Sequence, residues 1–403
     1  MRGILKNTNG SVVLLLGAGA SVDAGIFDTT GMIKELNSLL KEGEVLESYN
    51  ELYNSLKKLY GKKNIEDNKL SFDDLNIEKL VSILEDLVSL LDGNHSLSPL
   101  FEPLIAIFQS MYGFKEIKKF KNEIEERLIN WITPNNLKVE YFKSVLKFVK
   151  ENTGSGLRLF TLNYDRCIET AFEDFGIEYD IKLERGFGKE KQGVAWEAKN
   201  FEEIEEKETG DKKTLFLYKL HGSIDWDRNK KQELIRANRP SIKECIFGNN
   251  FKVRTYDPFL YFTYQFRTST LNSKIIIVCG YNFGDKHIND ILHQALTNEP
   301  DRRILICSYL SDENRKSYSD DRLKSEEEEK KEYYKSQLVL EDSNQIEVIL
   351  GKAGYFFDKT LNMNYLENLL PEEDIENLFY QSTIDEEIIQ DDSAKLDDNV
   401  LLI

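Results

Sequence analysis

The sequence predicts an α/β protein: a Rossmann-like, doubly wound parallel sheet that carries a large inserted helical subdomain. Three observations predict it. Short apolar runs recur along the chain, and most stop at glycine, asparagine, aspartate or histidine. The first run leads straight into a glycine-rich loop, "LLLGAGASVDAGIFD", from Leu14 to Asp28. Between the first and second runs, roughly a hundred residues show helical rather than strand periodicity.

The elements follow in order. "SVVLLLG" reads as a buried strand, β-branched and then leucine-rich. After the glycine loop, "GMIKELNSLLKE" reads as a helix. From about Leu36 to Glu151 there is little strand signal. "EKLVSILEDLVSLL" sets Leu80, Leu84, Leu87, Val88 and Leu91 on one helical face, and "EYFKSVLKFVK" does the same with Phe142, Val145, Leu146 and Val149. Strands return with "GLRLFTLNYD", "TLFLYKLHGSIDW", "SKIIIVCGYNFGD" and "DRRILICSYL", and a last strand is expected near Val348. Ligands of open α/β sheets sit beyond the carboxyl ends of the strands, so these polar run ends point to one crevice. The expected domains are a sheet domain of residues 1–31 and 152–360, a helical insertion of 32–151 and an acidic tail of 361–403. "DDRLKSEEEEKKEYYKSQ" is a charged helix or linker without a strong apolar face, and "IDEEIIQDDSAKLDDNVLLI" is an acidic, solvated end.

Composition narrows the function. The 403 residues suffice for two to three domains of roughly 150 residues each. Hydrophobic residues make up 40%, with 23 Phe and 19 Tyr, enough for a sizeable core. A formal net charge of −18 repels phosphates and argues against direct nucleic-acid binding. The four cysteines (Cys167, Cys245, Cys279, Cys307) are far apart with no CxxC pair, which argues against a disulfide framework and a zinc ribbon. No metal is expected. The apolar start is too short to span a membrane and flows into the glycine loop, so the chain is expected to be cytoplasmic, with no membrane association.

Four stretches carry chemistry. Gly17 and Gly19 follow a strand and precede a helix, which suits backbone N–H groups aimed at a phosphate; the plain alternative is a tight turn holding no ligand. Val22 stands where a dinucleotide fingerprint needs its third glycine, and no acidic residue follows a second strand about twenty residues on, so a plain dehydrogenase is disfavoured. In "FTLNYDR", Asn163 and Asp165 can hold ribose hydroxyls or orient a water, or else form an Asx turn. In "YKLHGSIDW", His221 ends a strand and is either a general base or a structural histidine on a backbone carbonyl. In "CGYNFGDKHIND", Gly280 and Gly284 bracket a loop, and His287 and Asp290 share one face of a helix that is otherwise a surface helix.

Taken in order, "GAGASVDAGIFD", "TLNYD", "KLHGSIDW" and "GYNFGDKHIND" resemble the sirtuin superfamily. They are more similar still to the sirtuin-like NAD-consuming effectors of bacterial antiphage systems, including the short partner of a HerA-type ATPase. The resemblance spans about Val12 to Asp28 and Leu157 to His293. It implies that Gly17, Ala18, Gly19 and Ser21 form the pyrophosphate and ribose loop, and that Asp28 is the aspartate of the family's "GIPD" motif. It implies that Asn163 and His221 are catalytic, that Asp165 holds the nicotinamide–ribose end with Asn163, and that Gly280 opens the segment facing the adenosine half.

Departures refine the expectation. Phe27 replaces the family proline, Thr30 stands where deacylases carry arginine, and the four zinc-binding cysteines of deacylases are missing after Trp226. Peptide deacylation is thereby disfavoured. The resemblance implies an NAD glycohydrolase that takes NAD as substrate, releases nicotinamide and ADP-ribose, and depletes NAD as an antiphage effector. The other readings are a protein deacylase or ADP-ribosyltransferase, and a non-catalytic NAD-sensing subunit. A homo-oligomer that docks a partner, such as a HerA-type ATPase, is also expected.

Overall fold

The structure is a computed structural model that describes residues 11–66, 69–73, 75–91, 106, 110–152, 156–188, 194–205, 213–237, 239–247, 256–342 and 344–370. Its centre is strand β1 (Val12–Leu16), every residue of which is buried. A short 3-10 segment (Ala18–Ala24) and helix α1 (Thr29–Leu39) lead into the insertion. The insertion continues with α2 (Asn50–Tyr60), a hairpin of β2 (Lys63–Glu66) and β3 (Lys69–Phe72), α3 (Ile77–Leu91), α4 (Phe114–Ile132) and α5 (Lys143–Asn152). Then come β4 (Gly156–Thr161), α6 (Cys167–Tyr179), β5 (Ile181–Glu184), α7 (Lys199–Glu205) and β6 (Lys213–Lys219). A second hairpin pairs β7 (Trp226–Arg228) with β8 (Leu234–Arg236). The remaining elements are α8 (Phe259–Asn272), β9 (Ile275–Cys279), α9 (Lys286–Asn298), β10 (Arg303–Ser308), α10 (Asp312–Ser317), α11 (Asp320–Leu338), β11 (Ile346–Leu350), α12 (Ala353–Thr360) and α13 (Met363–Glu367).

Seven strands form one sheet in the order β11-β10-β9-β1-β4-β6-β5. Every neighbouring pair is parallel. Parallel strands covered on both faces read as unbroken apolar runs, which is why β1 and β9 were plain in the sequence. The chain leaves β1 toward β4 on one side and later returns to β9 on the other. The strand order therefore reverses at β1, and a crevice opens beyond its carboxyl end.

Side chains of β1 alternate between two cores. Val12, Leu14 and Leu16 join one cluster that also holds Leu36, Leu56, Leu80, Leu84, Phe120 and Ile124 of the insertion. Val13 and Leu15 join the other, with Phe160, Phe262, Phe266 and Leu292. Thus the apolar stripes of the insertion are buried against one face of the sheet and against one another.

Three local readings differ from expectation. The β2–β3 hairpin interrupts the supposed all-helical block; strands of four residues are too short to show a period. Helix α11, charged as expected, nevertheless packs along one side: Leu323 lies half-buried against the second core, Lys331 pairs with Glu347 of β11, and Tyr334 and Leu338 are buried. Residues 361–370, grouped with the tail from sequence, place Leu361, Leu366 and Leu370 in the first core. The acidic end from 371 onward lies outside the described residues. Among the described residues, no helix is long and apolar enough to cross a membrane.

Candidate active site

A cavity of about 580 Å³ opens at the reversal point, within the range usual for small-molecule sites. Its floor is built from the chain just past β1, β4, β6 and β9: Gly17 to Gly19, Leu162 to Asp165, His221, Gly280 to Asn282, Gly284 and Asp285. Asn76, Ile77 and Glu78 of the insertion, and Lys330, Tyr333 and Tyr334 of α11, supply walls. Of the residues singled out from sequence, Gly17, Ala18, Gly19, Asp28, Asn163, Asp165, His221 and Gly280 all line it. Ser21 does not, but it touches one that does.

The glycines serve packing first. Gly17 N–H donates to the Cys279 carbonyl and Gly19 N–H to the Gly280 carbonyl, both at 2.9 Å. A Cβ on Gly17 would sit 2.6 Å from the Gly280 oxygen, and one on Gly280 (φ +70°) would sit 2.0 Å from Ala20 N. The loops after β1 and β9 are interlocked backbone to backbone. Two N–H groups expected to face a phosphate are therefore already bonded within the protein. The loop also runs into a 3-10 segment, and the first α-helix starts only at Thr29. Asp28 caps that helix, its Oδ1 accepting the Gly31 N–H at 2.7 Å.

Asn163 is tied to the same loop. Its Nδ2 donates to the Gly17 carbonyl and to Ser21 Oγ, each at 2.9 Å. Both amide protons are thus committed, and Oδ1 accepts no hydrogen bond among the described residues. Asp165, two residues on, makes the Asx turn: its Oδ1 accepts the Cys167 N–H at 2.9 Å at the start of α6. The two neighbours therefore do different jobs.

His221 is buried, with Nε2 3.1 Å from Oδ2 of Asp285. Asp285 is the N-cap of α9, and its other oxygen accepts the His287 and Ile288 N–H groups at 2.9 and 3.3 Å. Tyr281 Oη, which accepts the Asp285 N–H at 3.1 Å and bonds Asn289 Oδ1 at 2.8 Å, fixes the turn from below. A histidine held by a fixed carboxylate has a set orientation and a partner for its charged form. Asp285 lies in the "CGYNFGDKHIND" stretch, where its local pattern shows nothing beyond a helix cap. In place of it the sequence suggested His287 and Asp290, and neither lines the cavity; Asp290 pairs with Lys286 on the exposed face of α9.

Beneath the β4 and β6 loops lies a buried ion cluster. Arg185 binds Asp225 through two bonds of 2.9 and 2.8 Å, and its Nη2 lies 3.0 Å from Glu169 Oε1. Lys219 reaches Glu169 at 3.2 Å and donates to the Asp165 carbonyl. Burial pushes the Asp225 carboxyl up, but Arg185, with Lys219 and the Ser223 hydroxyl, overcomes this and holds it well below the usual range. The cluster pins the Asn163–Asp165 loop to the His221–Asp225 loop. No group of three or more residues able to hold a metal occurs among the described residues.

Residues 157–337 match the family model described as a SIR2-like domain. The match takes in Asn163, Asp165, His221, Gly280 and Asp285 and leaves out the glycine loop and the insertion. No curated protein matches the chain. Among solved structures, the chain overlaps a Sir2 homologue in complex with NAD at 11% identity, over 89% of this chain and 90% of the other, with a TM-score of 0.37. It overlaps a mutant Sir2 homologue in complex with 2′-O-acetyl ADP ribose at 12% identity, over 92% and 99%, with a TM-score of 0.36.

Proposed function

We propose that the chain cleaves NAD at the nicotinamide–ribose bond, giving nicotinamide and ADP-ribose. One observation carries the reading: within the stretch that matches a SIR2-like domain, the open Asn163 oxygen and the His221–Asp285 pair line one cavity at the sheet's reversal point. Such a cleavage passes through an oxocarbenium-like transition state, as glycoside hydrolysis does. Asn163, anchored through its amide protons, is suited to orient a water or ribose hydroxyl with Oδ1. His221, oriented by Asp285, is suited to take a proton from that group. The leaving nicotinamide is a cation before the bond breaks and neutral after, so the chemistry requires no Lewis acid. The glycine loop contributes shape and closeness here, since Gly17 and Gly19 have spent their N–H groups.

Deacylation gains nothing from the fold. After Trp226, where deacylases carry their zinc cysteines, the sequence holds the single Cys245 before Cys279, and the described residues form the short β7–β8 hairpin. The wider biological reading, antiphage defence by NAD depletion in a homo-oligomer with a HerA-type ATPase, belongs to the proposal and rests on the sequence resemblance. The apolar stripes of the insertion do not add to it, because those described are buried internally. Release of free nicotinamide from NAD by the purified chain, alone and with such a partner, tests the proposal.

A further inference from the structure

Glu78 stands in the first turn of α3, in the insertion, yet it lines the same cavity as Asn163 and His221. Its Oε1 lies 3.3 Å from the Tyr164 hydroxyl. That hydroxyl has one proton, and the Ile246 carbonyl, which can only accept, competes for it. Glu78 has no ion-pair partner among the described residues. Glu78 is half-buried at the cavity wall, and a partly desolvated carboxyl with no cation paired to it is costly to keep charged; such groups concentrate where chemistry needs them. The ionisable groups acting on it come from three other places: Tyr164 after β4, His221 after β6 and Asp285 at the start of α9. Burial raises its pKa above the usual carboxylate value, His221 and the Tyr164 hydrogen bond oppose this, and Asp285 adds to it. A carboxylate moved in this direction is a better base near neutral pH.

We propose that Glu78 is a catalytic carboxylate of the same reaction, the base that takes the proton of the attacking water while His221, held by Asp285, engages the ribose. The inference rests on the NAD-cleavage reading. In the step, the bond between C1′ and the pyridinium nitrogen breaks and its electron pair neutralises that nitrogen. The water oxygen bonds to C1′. Its proton passes to Glu78 and then to solvent. The insertion thus completes the active site as well as covering one face of the sheet.

The test is nicotinamide release from NAD across pH by the full chain, with wild type, Glu78→Gln and Glu78→Asp, and ADP-ribose binding measured alongside. Glutamine keeps the size and a hydrogen bond to Tyr164 but cannot take the proton. The expected result is a wild-type kcat that falls as pH drops through a value above the ordinary carboxylate range. Glu78→Gln lowers kcat about a hundredfold or more, with KM and ADP-ribose affinity little changed, and loses that acid limb. Glu78→Asp recovers part of the rate, which also covers the case of a poorly folding glutamine variant. A Glu78→Gln protein with wild-type kcat and an unaltered acid limb overturns the role of Glu78 and leaves NAD cleavage standing. A wild-type chain that releases no nicotinamide overturns both.

Discussion

Asp285 holds His221 with one carboxylate oxygen and caps α9 with the other. The same side chain therefore sets a helix start and a histidine orientation, 64 residues apart in sequence. Substitution by asparagine separates the two jobs. Asparagine caps as well as aspartate, so the melting temperature of Asp285→Asn should stay within a few degrees of wild type. Nicotinamide release should fall about tenfold or more, as when a general base loses its orienting partner. Thermal unfolding and a nicotinamide assay on one preparation check this; a full-rate Asp285→Asn protein would remove Asp285 from the site.

Asn163 is a strut as well as a candidate catalytic group. Asn163→Ala removes the donor to Ser21 Oγ and one of two donors to the Gly17 carbonyl, which keeps the Ala20 N–H. The expected cost is about 1–3 kcal/mol of stability, for two buried hydrogen bonds lost. Urea unfolding measures it. Loss of activity in this variant should therefore be accompanied by a lower midpoint, whereas His221→Ala should lose activity with less change in stability.

The interlocked glycines should tolerate no side chain. A Cβ on Gly280 meets Ala20 N at 2.0 Å, at a φ of +70° that disfavours L residues. Gly280→Ala and Gly17→Ala should each destabilise by about 2 kcal/mol or more, because the obstacle is backbone and cannot swing aside. Equilibrium denaturation reads this directly, and a neutral Gly17→Ala would show that the two loops are not packed as described.

Removing Asp225 leaves Arg185 buried beside Glu169 alone. Asp225→Asn should cost about 3–5 kcal/mol at pH 7, the usual penalty for breaking a buried pair from one side. The pKa of Asp225 is depressed in the folded chain. Its stabilisation is therefore whole above the unfolded carboxylate pKa of about 3.9 and is lost as pH falls through the folded value. Unfolding free energies of wild type and variant should differ by that same constant cost from pH 5 to 7, begin to narrow below about pH 4 and meet only once pH has fallen past the folded pKa. A gap that widens with acid would contradict the assignment.

Much of this was legible in the sequence, for a physical reason. Strands buried on both faces are apolar throughout, so β1, β4, β6, β9 and β10 stand out, and the residues that end them stand out with them. Asn163 and His221 could be found because each breaks an apolar run. Asp285 and Glu78 could not. One looks like an ordinary helix cap and the other like an ordinary acid in a helix first turn, and only the folded chain sets them beside His221 and Tyr164. The glycines were visible without their partner: smallness signals a close approach without saying to what, and the approach the structure shows is to the turn after β9, at the cavity floor. Asp165 illustrates the converse, since its local Asx turn needed nothing beyond its own neighbours.

The most direct test of the central claim is the amount of free nicotinamide formed when the purified full-length chain is incubated with NAD, alone and in the presence of a HerA-type partner. Wild type should release nicotinamide and ADP-ribose in equal amounts in at least one of these states, and His221→Ala should reduce the rate about a hundredfold to ten-thousandfold. Intact NAD with folded wild type in both states, or an unchanged rate in folded His221→Ala, would contradict the account.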